Sequence, residues 1–185
     1  MAYDPHKHHR CSIRLNGYDY SQAGAYFVTI CVNDGQCRFG EIKDGVMHPS
    51  PAGEMVIACW YALPERFPTI DLDVFGLMPN HSHGIILITK TGLNANDNPI
   101  VLGNIVGAFK SISTNLYIDG INTQGWEPFH KRLWQRDFYD HVIRNERALH
   151  AIREYIINNP ANWQEDKLHP DAAPNAFNKK WQRPS

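Results

Sequence analysis

The chain is predicted to fold as an α+β domain, with helices packed on a central antiparallel sheet. Three observations lead there. Residues 24–33 (GAYFVTICVN) are dense in β-branched and aromatic types and read as a central strand. Residues 70–78 and 82–89 form a second and third apolar run, joined by Pro79-Asn80, a turn signal that favours an antiparallel pair. Helical stripes fall between these runs, so the element order reads β-(ββ)-α-β-β-α-β-α.

Each element has a local cause. Asp44-Gly45 marks a tight hairpin between the short strand-like runs of 38–48. Ser50-Pro51 reads as an N-cap followed by proline in the first turn. Met55, Val56, Cys59, Trp60 and Leu63 then recur at helical spacing up to Pro64–Pro68. After a polar stretch at 89–99, a second helix carries Leu102, Ile105, Val106, Phe109, Ile112 and Leu116 on one stripe. Residues 119–131 read as loop, and Leu133–Phe138 as a further strand. A last helix starts near Asn145, with Glu146 in its first turn, and Pro160 stops it after Asn159. The expected division is an N-terminal arm (1–20), one domain (21–162) and a C-terminal tail (163–185).

Composition narrows the class. A chain of 185 residues, 43% hydrophobic and 20% charged, is an ordinary globular composition for a single well-cored domain. No apolar run approaches the ~20 residues that span a bilayer. No signal-peptide pattern is evident, so a cytoplasmic protein without a membrane partner is expected. Cys11, Cys31, Cys37 and Cys59 have no zinc-like spacing, and Cys31 and Cys59 sit in apolar patterns as buried thiols. The net charge of −1 does not argue for nucleic acid, but basic residues cluster at 7–14, 131–136 and 179–183 and allow a local basic surface.

The most informative stretch is MPNHSHG, followed by IILI. His81 and His83 stand at i and i+2 on a strand, so both imidazoles leave the same face. An HxH pair alone is more often incidental than catalytic. Here Ile85 excludes a third histidine in the series, and no HxHxDH run of binuclear zinc hydrolases is present. In the last helix Leu149, Ile152 and Ile156 form the apolar stripe, and Tyr155 and Asn159 stack one turn apart on its flank. With the histidine strand beneath, Asn159 can offer its carbonyl oxygen to a metal held by His81 and His83, with Tyr155 alongside. Imidazole plus hard oxygen, with positions left open for substrate, suits Mg²⁺ or Mn²⁺. Standing alone, Tyr155 would be an ordinary helix tyrosine and Asn159 a C-cap. Tyr139 is a rival phenol.

Four segments in order, SIRLNGYDYSQAGAYFVTICV, MPNHSHGIILI, WQRDFYDHVIRNE and REYIINNP, resemble the REP-associated tyrosine transposases, in the single-tyrosine branch of the HUH endonucleases. The resemblance spans roughly residues 10–162. It implies a ferredoxin-like palm and a metal-dependent nick in single-stranded DNA beside a hairpin. Strand transfer then proceeds through a 5′-phosphotyrosine, and the protein acts as a monomer or homodimer. His81 and His83 match the family's metal histidines, Tyr155 its nucleophile and Asn159 its polar ligand. Ser82 departs from a position that is usually bulky and apolar, and weaker packing behind the strand is expected there. Arg136, His141 and Arg144 are candidate DNA contacts or ordinary surface ion-pair partners. Lys7 and Arg10 are weaker candidates on the arm, and Trp134, Trp163 and Trp181 are stacking candidates whose default is packing. The alternative reading is a domesticated hairpin-DNA-binding protein without turnover.

Overall fold

The run richest in β-branched and aromatic residues forms β1 (Gly24–Cys31), an interior strand. In the computed structural model, which describes residues 18–90, 92–93 and 99–175, β1 lies between two antiparallel neighbours. They are β5 (His81–Ile88) and β6 (Tyr139–Ile143). β4 (Ile70–Leu77) lies outside β5, giving the order β4-β5-β1-β6. Helix α1 (Pro51–Tyr61), followed by the single turn α2 (Leu63–Arg66), links β1 to β4; α3 (Leu102–Gln124) links β5 to β6. That βαββαβ path is ferredoxin-like. The hairpin of β2 (Gly40–Lys43) and β3 (Val46–Pro49) is inserted after β1, and α4 (Glu146–Asn158) follows β6. Asp44 and Gly45 both have positive φ, as a two-residue hairpin turn of this twist requires. Ser50 caps α1 by accepting from the Gly53 amide, and Asn145 caps α4 by accepting from Ala148.

Strand alternation divides the sheet into two faces. Tyr26, Val28, Ile30 and Val32 point into the main core, with Ile86, Trp60 of α1 and Phe109 of α3. The other face is covered by α4, where Ile156 packs with Ile85 and Ile143 in a small cluster joined by Leu149 and Ile152. Close approach of α4 depends on Gly76, since a Cβ there would meet Ile156 Cγ2 at 2.8 Å. A bidentate pair from Arg153 to Asp73, at the β4 bulge, fixes its outer side.

Several expectations need correction. Residues 133–138 are not a strand: one bridge, Trp134 to Val32, and the bond from Gln135 N–H to the Cys31 carbonyl tie them to the end of β1, and regular pairing starts at Tyr139. α3 runs six residues into the expected loop of 119–131, reaching Gln124; along its second half Tyr117 and Gly120 are buried, whereas Leu116 is exposed. Gly120 permits this, because Trp126 occupies the space a side chain would need. Behind Ser82 the packing is not weak. Trp60 fills that side of the strand at Gly84, where a Cβ would meet its ring at 2.3 Å, and stacks on Phe75 at 4.7 Å. Ser82 Oγ is instead buried without a hydrogen-bond partner among the described residues. The segment assigned to a tail starts inside the fold: a 3₁₀ turn spans Pro160–Glu165, and Trp163 and Leu168 are buried. Among the described residues no helix is long and apolar enough to cross a membrane.

Candidate active site

β5 opens on the histidines, and register places His81 opposite Cys31 and His83 opposite Thr29, all on the face beneath α4. The two Nε2 atoms point at each other, 3.0 Å apart. Each Nδ1 is held from behind, His81 by Asn80 Oδ1 at 2.8 Å and His83 by Thr29 Oγ1 at 2.9 Å. Burial removes the water that would stabilise an imidazolium. It pushes His81 down to about 3 and His83 well below its ordinary value, helped for His83 by its neighbour His81. Both rings are therefore neutral at physiological pH, the form that ligates metals.

α4 brings Tyr155 over this pair. Its hydroxyl lies 3.4 Å from His83 Nε2, and its ring meets His83 edge-on at 5.1 Å and Phe27 at 6.1 Å. The residue as a whole is 48% exposed, so its outer edge faces solvent while the hydroxyl faces the histidines. Burial first, and the Asp166 carboxylate second, push its phenol up to about 12. Asn159, one turn on, is buried, and its Oδ1 has no hydrogen-bond partner among the described residues. It is not a left-handed C-cap: its φ of −58° carries the chain straight into the 3₁₀ turn.

That turn delivers a residue the sequence reading missed. Asp166 Oδ2 lies 3.8 Å from His81 Nε2 and accepts from Asn159 Nδ2 at 3.2 Å. Ligand atoms of His81, His83 and Asp166 all fall within 4.8 Å of one another. The only sequence signal was the short distance from Asn159 to Asp166, hidden by ending the domain at residue 162, just after Pro160 stops the helix. Asn80 and Thr29 were missed as well, because a partner behind an imidazole is set by register and turn geometry.

A cleft of about 500 Å³ opens in front of these groups. Asp140, Glu165 and Asp166 contribute carboxylates to its wall, against Lys167 as the cation. Paired Nε2 atoms, an orphaned amide oxygen and an acid-rich wall are a donor set that a divalent cation fits; an anionic substrate entering without one would meet repulsion.

The remaining sequence candidates separate. His141 and Tyr139 line the same cleft from β6, and burial pushes the Tyr139 phenol up. Arg144 is exposed at the β6–α4 junction. Arg136 lies elsewhere, in a groove of about 390 Å³ beside α3 with Lys110, Lys131 and Arg132. Trp134 and Trp163 are packed, the latter against His81 and His169. Lys7, Arg10 and Trp181 lie outside the described residues.

Fold and site together define a ferredoxin-like α+β domain that sets a tyrosine helix across a histidine pair. A solved REP-associated tyrosine transposase, bound to a REP hairpin, shares the fold. The TM-score is 0.55 over 80% of this chain and 73% of that one, at 17% identity. A Haemophilus influenzae protein, itself uncharacterized, is 36% identical over 181 residues, which is 89% of this chain and 95% of the relative. The chain belongs to the same family as that protein. No family model matches it.

Proposed function

We propose that this protein is a metal-dependent, single-tyrosine DNA strand transferase of the REP-associated transposase type, cutting single-stranded DNA next to a hairpin. The observation that carries the proposal is the meeting of Tyr155, His83, Asn159 and Asp166 around one cleft, with His81 buried behind them against His83 and Asp166. The shared fold with a hairpin-bound transposase supports the same reading.

His81, His83 and the Asn159 carbonyl oxygen, joined by Asp166, would hold Mg²⁺ or Mn²⁺. Bound there, the ion would supply positive charge to a non-bridging phosphate oxygen and to the developing phenolate. Tyr155 Oη is the nucleophile. A bond forms from it to phosphorus as the P–O3′ bond breaks; the phenol loses its proton and the departing O3′ gains one. The products are a 5′-phosphotyrosine and a free 3′-OH, and the reverse attack by a 3′-OH rejoins strands and releases the phenol. Tyr155 sits on a helix held by Gly76 and by the Asp73–Arg153 pair, so the hydroxyl is positioned without rearrangement. His141 on the cleft wall and the exposed Arg144 would contact the DNA strand. Arg136, with Lys131 and Arg132 in a separate groove, would contact phosphates away from the cleft.

The test is incubation with labelled hairpin-flanked single-stranded DNA and Mn²⁺, read on a denaturing gel. A covalent adduct is expected, absent in Tyr155→Phe and in His83→Ala and retained in Tyr139→Phe. Retention in Tyr155→Phe would reassign the nucleophile. Tight hairpin binding with no adduct under any divalent ion would leave the domesticated binding protein as the function.

A further inference from the structure

We infer that Asn80 is the positioning residue of the metal centre: it sets the tautomer of His81 and, with the same amide, ties down the segment that carries Asp166. The inference rests on the metal-site reading above, and goes beyond it by assigning how the site is built before any ion arrives.

The argument is one of hydrogen-bond capacity. Asn80 is fully buried at the turn between β4 and β5. Its Nδ2 donates to two backbone carbonyls, Gly35 O at 3.0 Å and Leu168 O at 2.8 Å. Carbonyls only accept, so the nitrogen faces them and Oδ1 faces His81 Nδ1. An amide oxygen cannot donate. His81 Nδ1 must therefore carry the ring proton, and in the neutral imidazole Nε2 is left with a bare lone pair directed at His83 and Asp166.

His83 is not constrained in this way. Its Nδ1 partner is the Thr29 hydroxyl, which can donate or accept. In the metal-free protein, His83 Nε2–H donates to His81 Nε2 across 3.0 Å, and Thr29 donates to His83 Nδ1. Turning the Thr29 hydroxyl and moving one ring proton from Nε2 to Nδ1 frees the second lone pair, with no net gain or loss of protons. One histidine is thus fixed and its partner adjustable.

The other half of the amide acts at a distance. Leu168 O is held by Asn80, and the Leu168 amide donates to Asp166 Oδ1 at 2.6 Å. The carboxylate that faces the histidines is therefore anchored to the turn that precedes them. A partner that orients a metal-binding histidine typically changes metal affinity about 10–100-fold when removed.

The experiment uses the full chain, free of metal, and long-range ¹H–¹⁵N correlation at pH 7. In the wild type His81 is expected to be protonated on Nδ1 alone. In Asn80→Ala it becomes a mixture of tautomers, and amide exchange speeds up at 166–168. Mn²⁺ binding, followed by electron paramagnetic resonance, weakens about 10–100-fold. A proton on His81 Nε2 in the wild type overturns the inference, and needs no variant to detect. So does unchanged Mn²⁺ affinity in Asn80→Ala. A protein that shows the expected tautomer and Mn²⁺ binding but forms no DNA adduct would sink the proposed function and leave this inference standing.

Discussion

The two faces of one sheet have opposite chemistry, and the boundary between them runs through single strands. Along β5, His81, His83 and Ile85 point toward α4 while Ser82, Gly84 and Ile86 point toward α1 and α3. The α1/α3 face is closed and aromatic, with Trp60 and Phe109 fully buried; the α4 face has a three-residue core and an open cleft. The first is packed as a core, and the second carries the proposed site. The two imidazoles lie buried 3.0 Å apart on a strand that is paired on both sides.

Substitutions on the two faces should therefore separate stability from activity. Trp60→Ala opens the closed face and should cost about 3–5 kcal/mol of folding stability by chemical denaturation. Tyr155→Phe should leave the denaturation midpoint where it is. Gly84→Ala drives a methyl into the Trp60 ring and should cost about 1–3 kcal/mol, although it changes nothing on the histidine side. Equal stability in Gly84→Ala and wild type would show that the closed face is looser than the packing implies. Ser82→Ala removes a buried hydroxyl that has no partner and should stabilise by up to about 1 kcal/mol. Adduct formation should be unchanged in that variant.

The smallest effect belongs to the seam between α4 and β4. Hydrogen bonds from Arg153 hold the Asp73 carboxyl below its usual range. A depressed folded value means the pair stabilises above the unfolded pKa of about 3.9 and loses that contribution as pH falls through the lower, folded value. Thermal melts of the wild type should therefore drop more steeply below about pH 4 than those of Asp73→Asn. Parallel curves would show that the apolar cluster around Ile156 docks the helix without help from the ion pair.

Much of this was legible in the chain. Period-2 alternation placed both histidines on one face, and period-3.6 spacing placed Tyr155 and Asn159 together on a helix flank. Capping and turn residues marked Asn145, Ser50 and Asp44-Gly45 correctly, because those signals act within four residues. Errors arose where distant packing overrode local preference. Trp126 let α3 pass a glycine, and the end of β1 drew residues 133–135 into isolated contacts. Asp166 was invisible for the same reason. A proline that ends an α-helix also starts a 3₁₀ turn well, and only burial of Trp163 and Leu168 chooses between leaving and returning.

The sequence by itself determined the helix and strand types through α3, the common face of the two imidazoles and the pairing of phenol with amide, since each follows from backbone periodicity within its own element. The tertiary structure alone decided that Asp166 joins them, that Asn80 and Thr29 stand behind the rings, and that Arg136 faces a different groove from His141. Those facts depend on which elements touch, and contact between distant segments is set by the packing of the whole core.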